Sequence, residues 1–344
     1  MYKLIILSTF LHAVLVFGTG INLKSYSVDI EETSVSGISS GAYFATQMQV
    51  SHSSIIKGAG VIASGPYNCA GEHLIMYCMQ LSWPFSFAIQ RTKDWSGNRI
   101  DPIENMKNQR VYMISGKKDI VVSTSVVDQL YDYYKNFVDE QNIVYNKDLS
   151  IGHTFSTDIV AEGNSDCGAS SSPFVSTCGF DSAGTILKHI YGNMSERTDK
   201  PTGDWIVFDQ SEFVDGSNPH SIGLSEQGYI YVPKYCQKKH THKKDKCRLH
   251  IAFHGCLQNV DAIGTKFLKD TGYDRWADKN RLIILGPQTH ADLGLHLTNI
   301  NGWINNSNGC WDWVGWYDSQ FQTKNGKQIS TIKKMIDRIT SNNH

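Results

Sequence analysis

The chain has 344 residues, of which 40% are hydrophobic, 11% are aromatic and 19% are charged. This composition supplies enough apolar material for a full core and excludes intrinsic disorder. The formal net charge of −1 provides no overall field to attract nucleic acid or an anionic membrane, so neither is expected as a partner.

The N-terminal segment has the pattern of a secretory signal peptide. A lysine at position 3 precedes a largely apolar run over residues 4–17, and small residues follow at positions 18–20. This run is shorter than the roughly 20 apolar residues of a membrane-spanning helix. We therefore expect a signal peptide over residues 1–20, secretion, and a single catalytic domain over residues 21–344.

The cysteines agree with secretion, because there are eight of them and several lie close in sequence. The expected local disulfides join Cys69 to Cys78, Cys167 to Cys178, and Cys236 to Cys247. That leaves Cys256 and Cys310 as a fourth pair, although eight cysteines allow about 105 connectivities and the sequence does not choose among them. No CxxC motif occurs, so a zinc site is not expected. Sequons at Asn193 and Asn305 offer sites for N-glycosylation.

The first strand of the mature chain leads into a serine-containing turn. Residues 26–35 alternate and are rich in β-branched side chains, which predicts a strand, and the pattern becomes helical after Gly37-Ile38-Ser39-Ser40-Gly41. A Gly-x-Ser-x-Gly pentad between a strand and a helix is the nucleophile-elbow pattern, in which glycines permit the tight turn. The pentad alone is common by chance, so its placement carries the prediction that Ser39 is a nucleophile.

A serine nucleophile needs a base and an acid that orients the base. In the α/β-hydrolase fold, where this elbow pattern occurs, both residues follow the elbow in the sequence. Residues 111–115 predict a buried strand, and Asp119 ends the turn after it. Residues 123–137 predict a helix, residues 143–145 predict a strand, and His153 lies in the next loop. Taken singly, such an aspartate is usually a turn residue and such a histidine is usually solvated. Their order after the elbow favours Asp119 as the acid and His153 as the base.

The second half of the chain supplies a candidate oxyanion loop. Residues 229–233 and 248–253 predict two strands, and the second ends in His254-Gly255-Cys256. In a His-Gly loop after a strand, the histidine is architectural and a later backbone N–H points at the developing alkoxide. We therefore expect the amides of Ser40 and Cys256 to form the oxyanion hole. An ordinary strand end with a glycine turn is the alternative.

The order of these parts is unusual. A regular α/β-hydrolase runs from oxyanion strand to elbow to acid to histidine, whereas here the oxyanion strand comes last. Residues 271–280 and 329–339 predict helices and residues 282–285 predict a strand; joining the last helix to Tyr26 would restore the regular order. The sequence therefore predicts a circularly permuted α/β-hydrolase fold with a mostly parallel sheet flanked by helices, a rearrangement tolerated where termini lie close together.

Three motifs together carry a family resemblance: the elbow, His254-Gly255-Cys256-x-Gln258, and Cys310-Trp311-Asp312-Trp313. They resemble the secreted poly(3-hydroxybutyrate) (PHB) depolymerases, especially the circularly permuted single-domain type. The resemblance covers essentially the whole mature chain. It implies Ser39, Asp119 and His153 as a catalytic triad, an acyl-enzyme, and no metal or organic cofactor. No Thr- or Ser-rich linker or appended binding module is found, so any grip on solid polymer is expected from the catalytic domain.

The tryptophans indicate where polymer would bind. Four of them crowd into a segment rich in glycine and asparagine: Trp303, Trp311, Trp313 and Trp316. This composition predicts a loop that cannot bury them all, and an aromatic shelf suits an apolar polyester. The alternative is that most of these rings are core. We expect one or two to contact substrate, with Trp311 and Trp313 on opposite sides as in a strand.

Two other functions remain open at this point. A feruloyl or acetylxylan-type carbohydrate esterase would use the same triad and oxyanion hole. A non-catalytic secreted binding protein could keep a hydrolase fold, although the complete set of serine, acid, base and oxyanion loop counts against it. The expected protein is a monomeric serine esterase acting on PHB or similar short-chain polyhydroxyalkanoates.

Overall fold

The computed structural model describes residues 21–341. The predicted signal peptide over residues 1–20 lies outside the described residues. Within residues 21–341, none of the helices combines the length and the apolar character that a membrane span requires.

The described part of the chain alternates strands and helices. The strands are β1 Val28–Ile38, β2 Ile56–Ile62, β3 Arg110–Ile114, β4 Ile143–Asn146, β5 Phe155–Thr157, β6 Val175–Thr177, β7 Asp204–Asp209, β8 Gln227–Val232, β9 Cys247–Phe253, β10 Leu282–Gly286, β11 Asp292–Thr298 and β12 Gly302–Asn306. The α-helices are α1 Ser40–Ser51, α2 Cys69–Glu72, α3 Ile75–Met79, α4 Ser86–Trp95, α5 Thr124–Tyr134, α6 Ser182–Tyr191, α7 Val260–Ile263, α8 Lys266–Asp270, α9 Tyr273–Lys279 and α10 Lys327–Thr340.

Eight strands form one mixed sheet in the order β4-β3-β2-β1-β9-β10-β8-β7. The six strands from β4 to β10 are mutually parallel, and β8 and β7 add antiparallel pairs at one edge. The strand β1, which leads into Ser39, and the strand β9, which leads into the candidate oxyanion loop, are neighbours at the centre, so their carboxyl ends lie side by side. The predicted mostly parallel sheet flanked by helices is confirmed.

The permuted order is visible in the sheet. In the sequence β9 comes after β1, although the two strands are neighbours in the sheet. If the two ends of the chain were joined and the chain were read from β7 through β10 into β1, β9 would come first. The backbone N–H of Tyr26 donates to the carbonyl of Ile339 at 2.8 Å, so the segment that enters β1 and the end of α10 meet. Reading the chain across this contact restores the regular order, as predicted.

The second half of β1, residues 33–38, is buried because elements pack on both faces of the sheet there. Val35 packs in a core cluster with side chains of α1 and α10. Its neighbours Ser34 and Ser36 point the other way, toward Tyr191 of α6 and Tyr273 of α9. Ser34 and Ser36 are tolerated in this buried stretch because their hydroxyl groups are hydrogen-bonded to side chains.

The four expected disulfides are all present, and no described cysteine is free. The strands predicted over residues 111–115, 143–145, 229–233, 248–253 and 282–285 and the helices predicted over residues 123–137, 271–280 and 329–339 are confirmed within a few residues. The loop predicted around Trp303 is wrong in part. There the chain forms a β11-β12 hairpin, with Leu297 opposite Trp303.

Candidate active site

Ser39 occupies the turn between β1 and α1. Its φ of 55° and ψ of −127° lie outside the regions that L-residues ordinarily adopt, and the side chain is half-buried. Local strain of this kind persists only where the surroundings hold the backbone, and it is a feature of functional sites. The turn presents the serine at the carboxyl edge of the sheet and at the N-terminus of a 12-residue helix, where the helix dipole favours negative charge.

The two glycines of the pentad allow backbone segments to approach closely. A Cβ on Gly37 would lie 2.3 Å from the Gly41 carbonyl oxygen, and one on Gly41 would lie 2.3 Å from the carbonyl oxygen of His254. Neither glycine has a positive φ; that conformation falls on Ser39 itself. The glycines are therefore required because any side chain would separate α1 from β1 and from the end of β9.

Asp119 and His153 form a hydrogen-bonded pair. Asp119 Oδ2 lies 2.8 Å from His153 Nδ1, and Asp119 Oδ1 accepts the backbone N–H groups of Val121 and Val122 at 2.8 and 2.9 Å. The side chains of the histidine and the aspartate are 6% and 1% exposed. The carboxylate is thus oriented by two amides, and it in turn orients the imidazole.

The loop that carries His153 is fixed by its backbone. The His153 N–H donates to Ser170 Oγ at 2.9 Å, and a Cβ on Gly152 would lie 2.3 Å from the Ala169 carbonyl oxygen. The ring of Phe174 meets the imidazole edge-to-face with centroids 6.3 Å apart. Among the described residues the Ser39 hydroxyl has no hydrogen-bond partner, so no Ser39–His153 hydrogen bond is formed.

Two backbone N–H groups beside Ser39 are free to donate hydrogen bonds to a ligand oxygen. Within the described chain, neither the Ser40 N–H nor the Cys256 N–H donates a hydrogen bond to another residue. The loops that carry them touch, because a Cβ on Gly255 would lie 3.4 Å from Ser39 Cβ. Unpaired amides next to a nucleophile have the arrangement that stabilises a developing oxyanion.

His254 is fully buried, and burial lowers its pKa to about 4, so the ring is neutral near pH 7. Its Nδ1 donates to the Gly255 carbonyl at 2.7 Å, and its Nε2 accepts the Thr289 N–H at 3.3 Å. The side chain is occupied by backbone groups and is not available as a base. His254 is therefore part of the loop architecture, and His153 is the histidine that faces the aspartate.

The four candidate tryptophans do not form a shelf. Only Trp303 is exposed, at 64%, while Trp311, Trp313 and Trp316 are buried. The expectation that Trp311 and Trp313 lie on opposite sides is wrong, because residues 307–326 form turns and bends without strand alternation.

Two of the buried tryptophans pack against aromatic side chains of α1 and β9, the elements on either side of Ser39. Trp311 packs against Phe44 and Phe253, with centroids 4.7 and 4.9 Å apart, and Trp313 stacks on Tyr43 at 4.3 Å. The Cys256–Cys310 disulfide joins the candidate oxyanion loop to the start of this segment. Closing a loop of that length contributes on the order of 4 kcal/mol to stability.

Exposed apolar side chains cluster on the β11-β12 hairpin. Leu293, Leu295 and Leu297 are all exposed at alternate positions of β11, and Trp303 projects from β12 opposite Leu297. The pairing of β11 with β12 is irregular between Asp292 and His296, so Leu293 and Leu295 lie in a bulged stretch, and Leu297 and Trp303 form the regular cross-strand pair. Together these exposed side chains give the hairpin an apolar surface. Soluble monomeric proteins rarely expose such a surface without a binding role.

Hydrogen bonds connect this surface to other exposed apolar residues around the site. The Leu257 N–H donates to the Asn308 carbonyl, and Asn301 Oδ1 at the hairpin tip accepts the N–H of Ile75 at the start of α3. At the end of α3, Gln80 donates to the carbonyl of Ile120, the neighbour of Asp119. We call the exposed side chains on this path the apolar rim. Its members are Leu74, Met76, Leu81, Trp83, Ile120, Leu257, Leu293, Leu295, Leu297, Ile300 and Trp303.

Comparison with known proteins gives consistent relatives, although no family model matches the chain. A polyhydroxybutyrate depolymerase of Talaromyces funiculosus is 39% identical over 322 residues, covering 93% of this chain and 92% of that protein. A poly(3-hydroxybutyrate) depolymerase of Delftia acidovorans is 38% identical over 330 residues; the match covers 93% of this chain but only 62% of the longer bacterial protein.

Solved structures agree with these sequence relatives. The crystal structure of a PHB depolymerase from Penicillium funiculosum superposes with a TM-score of 0.88 at 37% identity, covering 93% of this chain and 98% of that one. A serine-to-alanine variant of a PHB depolymerase in complex with an R3HB trimer gives a TM-score of 0.87 at the same identity and coverage. Identity and coverage of this extent show that the chain belongs to the PHB depolymerase family.

Proposed function

We propose that this protein is a secreted serine esterase that hydrolyses the ester bonds of PHB or similar short-chain polyhydroxyalkanoates. The observation that carries the proposal is the Asp119–His153 pair at the same sheet edge as the strained Ser39, beside two unpaired amides. Family membership supports the substrate, since the relatives are named as depolymerases of this polyester and one solved neighbour contains an R3HB trimer.

The proposed reaction begins when His153 Nε2 takes the proton of Ser39 as Oγ attacks an ester carbonyl. The tetrahedral oxyanion accepts hydrogen bonds from the Ser40 and Cys256 amides, each worth roughly 3 kcal/mol to the transition state. His153 then protonates the departing hydroxyl end of the polymer, which leaves an acyl group on Ser39. Water, deprotonated by His153, releases the acid and regenerates the serine.

Asp119 acts through the imidazole in this scheme. Its Oδ2 accepts Nδ1–H, which leaves Nε2 unprotonated and directed toward the nucleophile, and it stabilises the imidazolium that forms in each half-reaction. The missing Ser39–His153 hydrogen bond is compatible with this role, because such bonds are often long in unliganded enzymes and tighten in the substrate complex. No step in the scheme requires a metal or an organic cofactor.

The apolar rim is the proposed contact with solid polymer. A polyester presents methyl groups and methylenes between its carbonyls, so a flat apolar surface adsorbs it by burying area at about 25 cal/mol per Å². Trp303 is the candidate substrate-contacting tryptophan, because it alone among the four projects from the surface. The same rim presents few polar partners for the hydroxyl groups of a sugar, which favours a polyester over a carbohydrate as substrate.

The remaining expectations also enter as proposals. Secretion is supported by four disulfides, which persist in oxidising environments, and by the signal-peptide pattern of residues 1–20. A single catalytic domain over residues 21–344 is supported by one continuous sheet. We propose that the protein acts as a monomer, with its rim free to meet an insoluble surface.

The test compares wild-type protein with Ser39→Ala on three substrates: a PHB suspension, feruloylated xylan and acetylated xylan. We expect the wild-type protein to clear the PHB suspension and the variant to lose all hydrolysis while keeping its thermal melting curve. Release of ferulate or acetate without clearing of PHB would reassign the substrate. Failure of a fluorophosphonate probe to label Ser39 in the wild-type protein would support the non-catalytic alternative.

A further inference from the structure

Gln258 is a buried glutamine whose side-chain amide is fully engaged by backbone groups. Only 2% of the residue is exposed. Its Oε1 accepts the Gly255 N–H at 2.7 Å, and its Nε2 donates to the carbonyls of Pro173 and Phe174 at 3.1 and 2.9 Å. The glutamine therefore joins two loops that are more than 80 residues apart in sequence.

One end of this connection fixes the direction of an oxyanion-hole donor. The Gly255 carbonyl and the Cys256 N–H belong to one planar trans peptide, so they point in opposite directions. His254 Nδ1 holds that carbonyl at 2.7 Å, while Gln258 holds the N–H on the other side of Gly255. The Gln258 N–H also donates to the Gly255 carbonyl at 3.3 Å. With both flanks held, the peptide plane that carries the Cys256 N–H is fixed, and this N–H has no acceptor among the described residues.

The other end of the connection reaches the loop that contacts the base. Phe174, whose carbonyl accepts from Gln258, places its ring edge against the imidazole of His153. Phe174 has a φ of 54°, a conformation that a bulky residue keeps only when surrounding contacts hold it. Gln258 supplies one of those contacts.

We infer that Gln258 is a positioning residue, which keeps the Cys256 amide and the His153 ring in a fixed relationship around Ser39. The inference rests on the proposed esterase function and goes beyond it, because Gln258 touches neither the substrate carbonyl nor the nucleophile in that scheme. Its effect is on geometry, and a displacement of about 1 Å at such a site lowers catalysis by about 10²-fold.

The experiment uses Gln258→Leu, which removes both halves of the connection, and Gln258→Glu, which keeps an acceptor for Gly255 but loses donors to the other loop. The rate constant kcat is measured on a soluble butyrate ester per active site, with sites counted by fluorophosphonate labelling carried to completion. We expect kcat to fall by about 10²-fold in the leucine variant, with KM nearly unchanged. The glutamate variant should lose at least as much, because its second carboxylate oxygen faces the two carbonyl oxygens that Nε2 now contacts.

A second readout separates positioning from general stability. A trifluoromethyl ketone adds to the serine and places an oxyanion between the two amides, so its affinity should fall with kcat in both variants. Binding of a hydroxybutyrate trimer, measured in the Ser39→Ala background, should not change. A purely structural glutamine would alter the melting temperature and the number of labelled sites but not the ketone affinity per site.

Gln109 provides the matched control. It is also buried, its Nε2 donates to the carbonyls of Ser53 and Ile56, and its Oε1 accepts from Gln49. It precedes β3 at the sheet edge opposite Ser39, so Gln109→Leu should lower stability and leave kcat per site unchanged. Wild-type kcat and ketone affinity in Gln258→Leu would overturn the inference. Activity in Ser39→Ala would instead overturn the proposed function.

Discussion

The backbone N–H of Tyr26 donates to the Ile339 carbonyl at 2.8 Å, which joins the entry to β1 with the end of α10. The two ends of the folded chain are therefore adjacent, and a short linker can span them. If the chain were joined at this contact and opened in another exposed loop, the proposed triad residues would keep their positions in space but occur in a different order along the sequence.

Reversing the permutation should leave an active protein. A variant with residue 340 joined to residue 26 by a short glycine-serine linker, and new termini between the exposed residues Asp199 and Lys200, interrupts no strand or helix. It omits residues 21–25, so the buried Leu23 side chain and the bridge from Ile21 to Phe208 are lost and some stability is lost with them. We expect it to fold and hydrolyse a soluble ester at a rate close to that of the original chain, since exposed loops tolerate such cuts. Circular dichroism and ester hydrolysis measure this; an unfolded or inactive product would contradict it.

Removing the hairpin leucines should separate adsorption from chemistry. We expect Leu293→Ser, Leu295→Ser and Leu297→Ser in combination to weaken binding to PHB granules by at least about 10-fold, because three exposed apolar side chains are lost. Hydrolysis of a soluble short-chain ester should stay unchanged. Val207→Ser, on the edge strand β7, is the control for an exposed apolar residue outside the rim. Equal granule binding in both variants would contradict the role of the rim.

A glycan on Asn305 should interfere with polymer binding. Asn305 is exposed and lies two residues after Trp303 in β12, so both side chains project from the same face. In a glycosylating host, we expect Asn305→Gln to bind PHB granules more tightly than the glycosylated wild-type protein. Asn193→Gln is the matched control, because Asn193 follows α6, away from the hairpin. Mass spectrometry reports occupancy, and equal binding by an occupied wild type would contradict the prediction.

His250 should make stability fall in weak acid. It is fully buried, its ring nitrogens lie 2.7 Å from Ser34 Oγ and Ser36 Oγ, and burial lowers its pKa to about 3. An unfolded histidine has a pKa near 6.5, so the unfolded state gains a proton first and stability decreases as pH falls below that value. Above it, the histidine contributes no pH dependence.

The size of this effect follows from one proton. Between pH 6 and pH 4 we expect the wild-type free energy of unfolding to fall by about 1.4 kcal/mol per pH unit more than that of His250→Gln. Denaturant titration of both proteins at several pH values isolates the histidine, because other titrating groups contribute equally to each. Parallel curves would show that His250 is protonated in the folded protein.

Local patterns were sufficient to predict much of this architecture. Runs of about five to ten residues, whose hydrophobic periodicity matches their burial, were enough to predict β1, β3, β9 and the terminal helix α10. The disulfide partners are also near each other in sequence, apart from Cys256 and Cys310. These features can be predicted without knowing which residues distant in the sequence come into contact.

Other features depend on contacts that sequence periodicity does not report. The glycines of the elbow matter because His254 comes within van der Waals distance of Gly41, and residue 254 is more than 200 positions away. The burial of Trp311 depends on Phe44 and Phe253 meeting it from two elements. Gln258 occurs in a recognisable motif, but only the positions of Pro173 and Phe174 reveal what its amide holds.

The candidate active site and the β11-β12 hairpin are formed by different segments of the chain. Ser39 and the Cys256 amide are set by backbone contact between α1 and the end of β9, whereas the exposed leucines belong to an excursion between β10 and α10. Substitutions in the hairpin can therefore change which polymer surface the protein binds without changing the residues proposed to set the turnover rate. Exchanging the hairpin for one with other side chains offers a direct route to enzymes that degrade different plastics.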